Sequence, residues 1–367
     1  MRFQKLNITG LSFKKKPSEN ESPEHYIPST YKNEGFFSWP VILSYKGTVI
    51  PKIMLPVLIM TAFSSLITVL YKEFGYGLDI SSSVLPSISV VVGLMLVFRT
   101  NTSYDRYYEG RRLWSDLSSC IQNLSRGIWL SISVNNDLER LEKIQTIKYL
   151  IALTIAIKHH LREEYGRKWN DLDYLLPPDF LTATPSPALT PLTATPSPTL
   201  TLITPISINT ALQLQEDYNY PLLLTHKIHS YLVKCRKTDK TDTVTHNNMI
   251  SVISQIISIL NSLERILHTP IPFAYYTHMK QVIYVYCLIL PFTSIKLGYI
   301  QIPIVFVISF MLFGILEIGD EIENPFGYDY NDLPLDEICK KIRKDIELFT
   351  PNNESCFRLS SDSNTVA

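Results

Sequence analysis

Apolar runs without a single charged residue are the feature that most constrains this fold. Ile53–Tyr71, Ile80–Phe98 and Gly298–Leu316 contain no Asp, Glu, Lys or Arg, and Val282–Ile295 is a shorter run of the same kind. A helix needs about 20 apolar residues to cross the ~30 Å hydrocarbon core of a bilayer. The shorter run approaches that length if Met279–Gln281 are included or the bilayer thins locally. Two such pairs, each with a short connection, predict four transmembrane helices rather than a soluble protein with buried helices.

Basic residues flank these runs unevenly. Only Lys72 lies between the first two runs, and only Lys296 lies between the last two. Other basic residues precede the first run or follow the second, among them Lys14, Lys15, Lys16, Lys32, Lys46, Lys52, Arg99, Arg106, Arg111 and Arg112. Because cytoplasmic loops carry the excess of Lys and Arg, both termini and the long middle segment are expected in the cytoplasm. The first ~50 residues contain no signal-peptide core, and the plasma membrane is the favoured location.

The runs divide the chain into five segments: 1–48, 49–98, 99–278, 279–319 and 320–367. The second and fourth segments hold the two transmembrane hairpins, and the other three are predicted to be cytosolic. In the middle segment, apolar residues recur every three or four positions over Asp137–Tyr165 and Asn247–His268, which predicts helices. A shorter helix is predicted over Pro221–Lys234. Strand-like alternation persists nowhere, so the predicted fold is all-α.

One part of the middle segment has the composition of a disordered loop. The sequence LTATPSP occurs twice, at 181–187 and 192–198, inside a Thr/Pro/Ser-rich tract that spans 182–205. Proline at this density prevents helix formation, and the tract lacks aromatic residues and charge. We therefore predict a disordered insert at 182–205.

Neither catalysis nor nucleic-acid binding is predicted. Basic and acidic residues each number 34, so the chain lacks the basic excess that nucleic-acid-binding proteins usually carry. It has no Walker A, G-x-G-x-x-G or H-E-x-x-H motif. His226 and His229 lie three residues apart, but they are expected to be surface or interfacial histidines because no convincing further ligands lie nearby. The chain is not expected to be an enzyme.

The second apolar run carries a helical stripe of large side chains. Val90, Leu94 and Phe98 are spaced at i, i+4 and i+8 and so share one face. The same run contains small residues that permit close helix approach. Its continuation, from Arg99 to Trp114, is polar and has no helix breaker before Gly110, which predicts a helix that continues into the cytosol. Periodicity alone favours contact with lipid or another helix for the stripe.

Three motifs together resemble the bestrophin family, in particular its branch in bacteria, fungi and plants. They are FRTNTSYDRYYEGRRLW, which starts at Phe98, ERILHTPIPFAYYTHM, which starts at Glu264, and IENPFGYDYNDLPLD, which starts at Ile322. They stand in the family's order, and the resemblance extends from about Phe36 to Leu348. The resemblance implies a homopentameric ion channel, without cofactor, in which the second transmembrane helix of each subunit lines one central pore.

The resemblance also changes the interpretation of the apolar stripe. The family's hydrophobic neck residues fall on Val90, Leu94 and Phe98 when the motif arginine is matched to Arg106. Five copies of such a stripe form a constriction that can gate by dewetting. The implied function is passive conduction of chloride and other small anions. The alternatives are a cation channel of the same family and a non-conducting membrane scaffold.

Other functional positions follow less directly from the resemblance. A second, cytosolic constriction in the family is matched loosely by Leu224 or Ile228. Arg99 and Arg106 are expected at the cytosolic end of the neck. There they either concentrate anions or pair with the neighbouring carboxylates Asp105 and Glu109, and the sequence leaves both alternatives open.

The acidic segment after the last apolar run resembles the calcium-binding turn of animal bestrophins. The corresponding ligand positions are Glu321, Asn324, Asp329 and Asp332. Calcium takes six to eight oxygen ligands, and this run offers fewer carboxylates than the animal one, so calcium is not favoured. A structural role is expected instead, in which Asn324 and Asp329 cap helix ends and the turn. Asp332 or Asp336 would cap a helix that begins near Leu335.

Overall fold

The computed structural model describes residues 47–77, 80–81, 83–164, 169–177, 180 and 219–350. Within those ranges the regular structure is helical and includes no strand, which confirms the all-α prediction. The helices are α1 Ile50–Phe74, α2 Val84–Ser131, α3 Asp137–Leu161, α4 Asn170–Asp173, α5 Tyr220–Lys237, α6 Thr243–His268, α7 Phe273–Thr293, α8 Gln301–Glu323 and α9 Leu335–Phe349, with a 3₁₀ helix Ile295–Ile300 before α8. The predicted disordered insert at 182–205 lies outside the described residues, as do the termini up to 46 and from 351.

Helix α2 is a continuous helix of 48 residues, which confirms the predicted continuation beyond the apolar run. Pro86 lies in its first turn, where the missing N–H has no intrahelical partner to lose. At 1.5 Å per residue the helix is roughly 70 Å long, more than twice the ~30 Å hydrocarbon core. Its apolar first half and charged second half therefore belong to two different environments.

The helices pack into two separate hydrophobic clusters. The small cluster joins α1, the first half of α2, α7 and α8, through buried residues such as Val57, Leu96, Ile283 and Phe313. The large cluster joins the second half of α2 to the remaining helices, around Trp114. Among the described helices, only α2 contributes buried residues to both clusters, so it connects them.

The helices that have the length and composition of a membrane span differ in one member from the predicted set. Among the described residues, four helices are long and apolar enough to cross a membrane: Ile50–Phe74, Leu85–Ser131, Thr243–His268 and Ile295–Glu323. That set contains α6 and not α7, although the sequence predicted the third span within α7. The first half of α7 carries Tyr, His, Lys and Gln side chains, which lower its apolar character along the chain.

The exposed faces of these two helices distinguish them. On α6 the exposed face is a polar stripe: Ser251, Ser254, Gln255, Ser258, Asn261 and Arg265. On α7 the exposed side chains in the second half are large and mostly apolar, and include Val285 and Leu288. Because lipid offers no hydrogen bonds, a helix in the bilayer core exposes apolar side chains. The packing therefore groups α7, and not α6, with α1, α2 and α8.

Candidate functional site: the neck helix and its anchors

The predicted neck residues form an exposed stripe on α2. Val90 is 71% exposed, Leu94 53% and Phe98 57%. The opposite face of the same turns is buried, since Val92 and Leu96 lie in the small cluster. The helix thus places its inward face against its own subunit and presents three large apolar side chains outward. An apolar face of this kind suits contact with lipid, with another subunit or with an ion path.

Arg99 does not pair with Asp105 or Glu109. Its side chain is 1% exposed and turns into the subunit. The guanidinium Nη2 donates to a carboxylate oxygen of Asp320 and, at 3.0 Å, to Glu323 of α8. Helix α2 is therefore joined to α8 by ion pairs one residue after Phe98.

Arg106 makes a different kind of contact. Its Nε donates to the carbonyl oxygen of Glu323 at 3.0 Å, and its Nη2 donates to that of Ile266 at 2.6 Å. Its Nη1 donates to the carbonyl oxygen of Thr269. The last carbonyls of a helix lack intrahelical partners, so this arginine satisfies the ends of α6 and α8 together. The hydrogen bonds of Arg106 thus go to backbone carbonyls and not to the side chains of Asp105 or Glu109.

The Pro-Phe-Gly turn after α8 packs against α2. Phe326 is fully buried, and the backbone N–H of Phe326 donates to the side-chain oxygen of Asn324 at 3.3 Å. A Cβ at Gly110 would lie 3.2 Å from the Phe326 ring and 3.2 Å from Pro325. Gly110 therefore allows α2 to approach the turn closely, and Asn324 caps the turn as predicted.

The candidate calcium residues are already engaged in contacts within the chain. Glu321 lies 3.7 Å from the Lys52 ammonium, and an Asp332 carboxylate oxygen accepts the backbone N–H of Asp329 at 2.7 Å. Among the described residues, no group of three or more His, Cys, Asp or Glu side chains has the geometry of a metal site. The Lys52 ammonium beside Glu321 would compete with a cation at that carboxylate.

The predicted caps of α9 need a correction. The helix begins at Leu335 as expected, but Pro334 is its N-cap residue and supplies no side-chain hydrogen bond. Asp336 lies in the first turn and accepts from Lys158 Nζ and from Arg162 Nη2, each at 2.9 Å. A carboxylate in the first turn still suits the positive end of the helix dipole. Its main contact is with α3.

The prediction that Leu224 or Ile228 forms a cytosolic constriction is wrong. Leu224 and Ile228 are 0% and 1% exposed because they lie in the large cluster. A side chain enclosed by its own subunit offers no surface to a passing ion. The neighbouring Leu222 is 50% exposed and lies on the free side of α5. Helical periodicity identifies the two faces of α5, but packing decides which face is buried.

A buried polar network that sequence reasoning missed lies at the end of α3. Lys158 Nζ donates to Asp171 at 2.6 Å, and His159 contacts Asp171 at 2.9 Å and also Glu164. Burial opposes a charge on His159, but the hydrogen bonds to Asp171 and Glu164 outweigh it and raise the pKa of the imidazole. The paired basic residues Lys158 and His159 at the end of an apolar stripe were the available signal.

Comparisons with known proteins place this arrangement in a family. Residues 31–348 match the family described as Bacterial/Fungal Bestrophin protein. The voltage-dependent anion channel-forming protein sll1024 of Synechocystis sp. is 36% identical over 84% of this chain and 90% of its own length. YneE of Escherichia coli, also named a voltage-dependent anion channel-forming protein, is 25% identical over 86% of this chain and 91% of its own length.

A solved structure shares the fold. A bacterial bestrophin homologue from Klebsiella pneumoniae superposes with a TM-score of 0.67 at 22% identity, and the match covers 82% of this chain and 100% of that chain. The family match covers most of the described helices, including the whole of α2 and the turn after α8. This multi-pass membrane protein therefore belongs to the bacterial and fungal bestrophin family.

Proposed function

We propose that this protein is a channel that conducts chloride and other small anions passively through an apolar neck. The observation that carries the proposal is the stripe of Val90, Leu94 and Phe98 on the free face of α2. The names of the relatives, which describe anion channel-forming proteins, support the choice of anions over cations. The proposal involves no covalent chemistry and no cofactor.

The neck requires more than one copy of the chain. One α2 supplies only one side of a pore, whereas a ring of subunits repeats the stripe around a common axis. The resemblance implies five subunits. Water leaves a narrow apolar constriction readily, so small changes in its width switch conduction on or off.

A second constriction is assigned to Leu222 in place of Leu224 and Ile228. Its side chain lies on the free face near the start of α5, outside the large cluster. In a ring of subunits it would add a further apolar constriction on the cytosolic side of the neck.

The proposed topology has four spans: α1, the first half of α2, α7 and α8. The mostly apolar exposed surface of the second half of α7 and its place in the small cluster support it over α6 as the third span. The sparse basic residues between paired spans support cytoplasmic termini and a cytoplasmic middle segment. Residence in the plasma membrane is part of the same proposal.

Reversal potential measured with purified protein in a planar bilayer under a KCl gradient tests the function. Current that reverses near the chloride potential is the expected result. Reversal near the potassium potential would establish the cation alternative. Absence of current from a verified, incorporated protein, with and without calcium, would favour the scaffold.

The neck itself is tested by Phe98→Ala and Leu94→Ala. Alanine side chains leave a wider, less apolar constriction that holds water more readily, so each variant should raise the open probability on the order of tenfold. Leu96→Ala is the matched control for Leu94→Ala, because it removes the same atoms from the buried face of the same helix. Equal single-channel behaviour of Phe98→Ala and wild type would contradict the assignment of the neck.

A further inference from the structure

The end of α8 carries an unusual concentration of negative charge. Its last seven residues contain four carboxylates and no basic residue: Glu317, Asp320, Glu321 and Glu323. The C-terminal end of a helix is the negative end of its dipole, so carboxylates there are unfavourable without cations nearby. The acidic end of α8 therefore depends on cations from other helices.

Each of the other helices of the small cluster supplies one such cation. From α1, Lys52 lies 3.6 Å from Glu317 and 3.7 Å from Glu321. From α7, Lys280 lies 3.0 Å from Asp320. From α2, Arg99 pairs with Asp320 and Glu323. The acidic end of α8 thus joins all four helices at one end of the cluster.

Arg99 differs from the two lysines in its burial. The Lys52 side chain is 48% exposed and exchanges its partners for water easily, whereas that of Arg99 is 1% exposed. Among the described residues, Nε and Nη1 of Arg99 have no hydrogen-bond partner, so the ion pairs of Nη2 provide its anchor. The guanidinium also lies 4.8 Å from the Tyr276 ring centroid. A buried charge that loses its partners is strongly destabilised, which makes this contact difficult to break.

The position of Arg99 in the sequence connects this anchor to the neck. Consecutive helical residues point about 100° apart, so Phe98 faces outward while Arg99 faces α8. Gly319 provides the necessary room, since a Cβ there would lie 3.4 Å from Arg99 Nε. The turn of α2 that presents Phe98 is thus the turn that the ion pairs fix.

We infer that Arg99 is a positioning residue that holds the last turn of the neck against α8 and so keeps the neck open enough to conduct. The inference rests on the proposed channel function. Without the ion pairs, the apolar stripes of neighbouring subunits are free to approach one another and exclude water. Loss of Arg99 should therefore reduce conduction, and removal of the Phe98 ring should restore it.

The test compares single-channel recordings of wild type, Arg99→Gln, Arg99→Lys and the double variant Arg99→Gln/Phe98→Ala. We expect Arg99→Gln to lower open probability at least about tenfold, and both Arg99→Lys and the double variant to recover most of it. Lys52→Gln is the control, because this substitution on α1 removes a cation from the same acidic end and leaves the ion pairs of α2 in place. Wild-type open probability in Arg99→Gln would overturn the inference, as would a double variant that stays closed.

Two further measurements keep the result decisive. If Arg99→Gln does not assemble, Asp320→Asn and Glu323→Gln each remove one partner of Arg99. Unchanged conduction in both would overturn the inference. Spin labels at Val91→Cys on α2 and Ile315→Cys on α8 report the anchor without ion flux, and loss of Arg99 should broaden their distance distribution. A silent wild type with this broadening contradicts the channel function alone, and an unchanged distribution overturns the positioning role.

Discussion

Helices α6 and α7 follow one another in the chain, and each lies in an environment that its average composition does not predict. Helix α6 is apolar enough to span a membrane, yet it packs in the large cluster and exposes a polar stripe. Helix α7 carries Tyr, His, Lys and Gln in its first half, yet its second half lies in the small cluster and exposes Val285 and Leu288. Average hydropathy records how many residues are apolar, but the environment of a helix depends on where they lie around its axis.

The contrast extends to the two clusters. The large cluster resembles the core of a soluble protein, with apolar side chains enclosed and polar ones outside. The small cluster leaves large apolar side chains exposed on every one of its helices. The ion pairs that join its helices lie at the end of α8. The large cluster is stabilised by the exclusion of water from its apolar side chains, while the small cluster needs a bilayer to cover its exposed apolar surface.

Cysteine labelling gives the largest expected difference between α6 and α7. In a variant without native cysteines, a membrane-impermeant maleimide applied to the cytosolic side should modify Ser258→Cys almost completely. Val285→Cys should resist, because its side chain would face lipid. Both sites should react fully after denaturation in detergent, which is the control for reactivity. Protection of Ser258→Cys together with labelling of Val285→Cys would reverse the assignment of the third span.

Substitutions on α5 sharpen the contrast between a buried and a free face. Leu224→Ala creates a cavity in the large cluster and should lower the free energy of unfolding by about 2–5 kcal/mol. Leu222→Ala should stay within about 0.5 kcal/mol of wild type because its side chain is half exposed. Thermal unfolding in detergent measures both. A larger loss of unfolding free energy in Leu222→Ala than in Leu224→Ala would contradict the observed packing.

The network around His159 predicts a pH dependence of the large cluster. Because the folded-state pKa of His159 is raised, its stabilising contribution is complete below the unfolded pKa of about 6.5. The contribution is lost as pH rises through the folded-state pKa. The unfolding temperature of His159→Gln should therefore fall furthest below that of wild type in acid, and the gap should narrow in alkali.

Leu222→Ala provides the control for this pH series. It removes no titratable group from α5, so its difference from wild type should stay constant with pH. A gap for His159→Gln that widens as pH rises would show that the imidazole stabilises the fold in its neutral form. That outcome would contradict the direction assigned to its pKa.

Substitutions at two glycines of α2 should change stability slightly and with opposite signs. Alanine favours a helix over glycine by about 1 kcal/mol, and a Cβ at Gly93 would meet nothing within 4 Å. Gly93→Ala should therefore raise the unfolding temperature slightly. At Gly110 the Cβ would press on Phe326 and Pro325, and overpacking of about 1–3 kcal/mol should outweigh the gain. An increase in stability for Gly110→Ala would show that the turn yields easily.

Much of the architecture follows from the sequence alone. The charge-free runs, the helical periodicity and the proline-glycine turn predicted an all-α membrane protein, the extension of α2 and the start of α9 at Leu335. These features depend on local patterning, because the length and periodicity of a helix are encoded in neighbouring residues. The spacing of Val90, Leu94 and Phe98 predicted a shared helix face for the same reason.

The tertiary structure decided which partners each side chain meets. In the folded chain, Leu224 lies in the core and Leu222 is exposed. Arg99 pairs with α8 and not with its neighbours on α2, and Arg106 donates to the C-terminal carbonyls of α6 and α8. Arg99 and Asp320 are separated by 221 positions, and no local pattern encodes a contact at that distance. The sequence determined the helices and their apolar faces, while packing alone decided which faces meet, because burial is a property of the assembled fold.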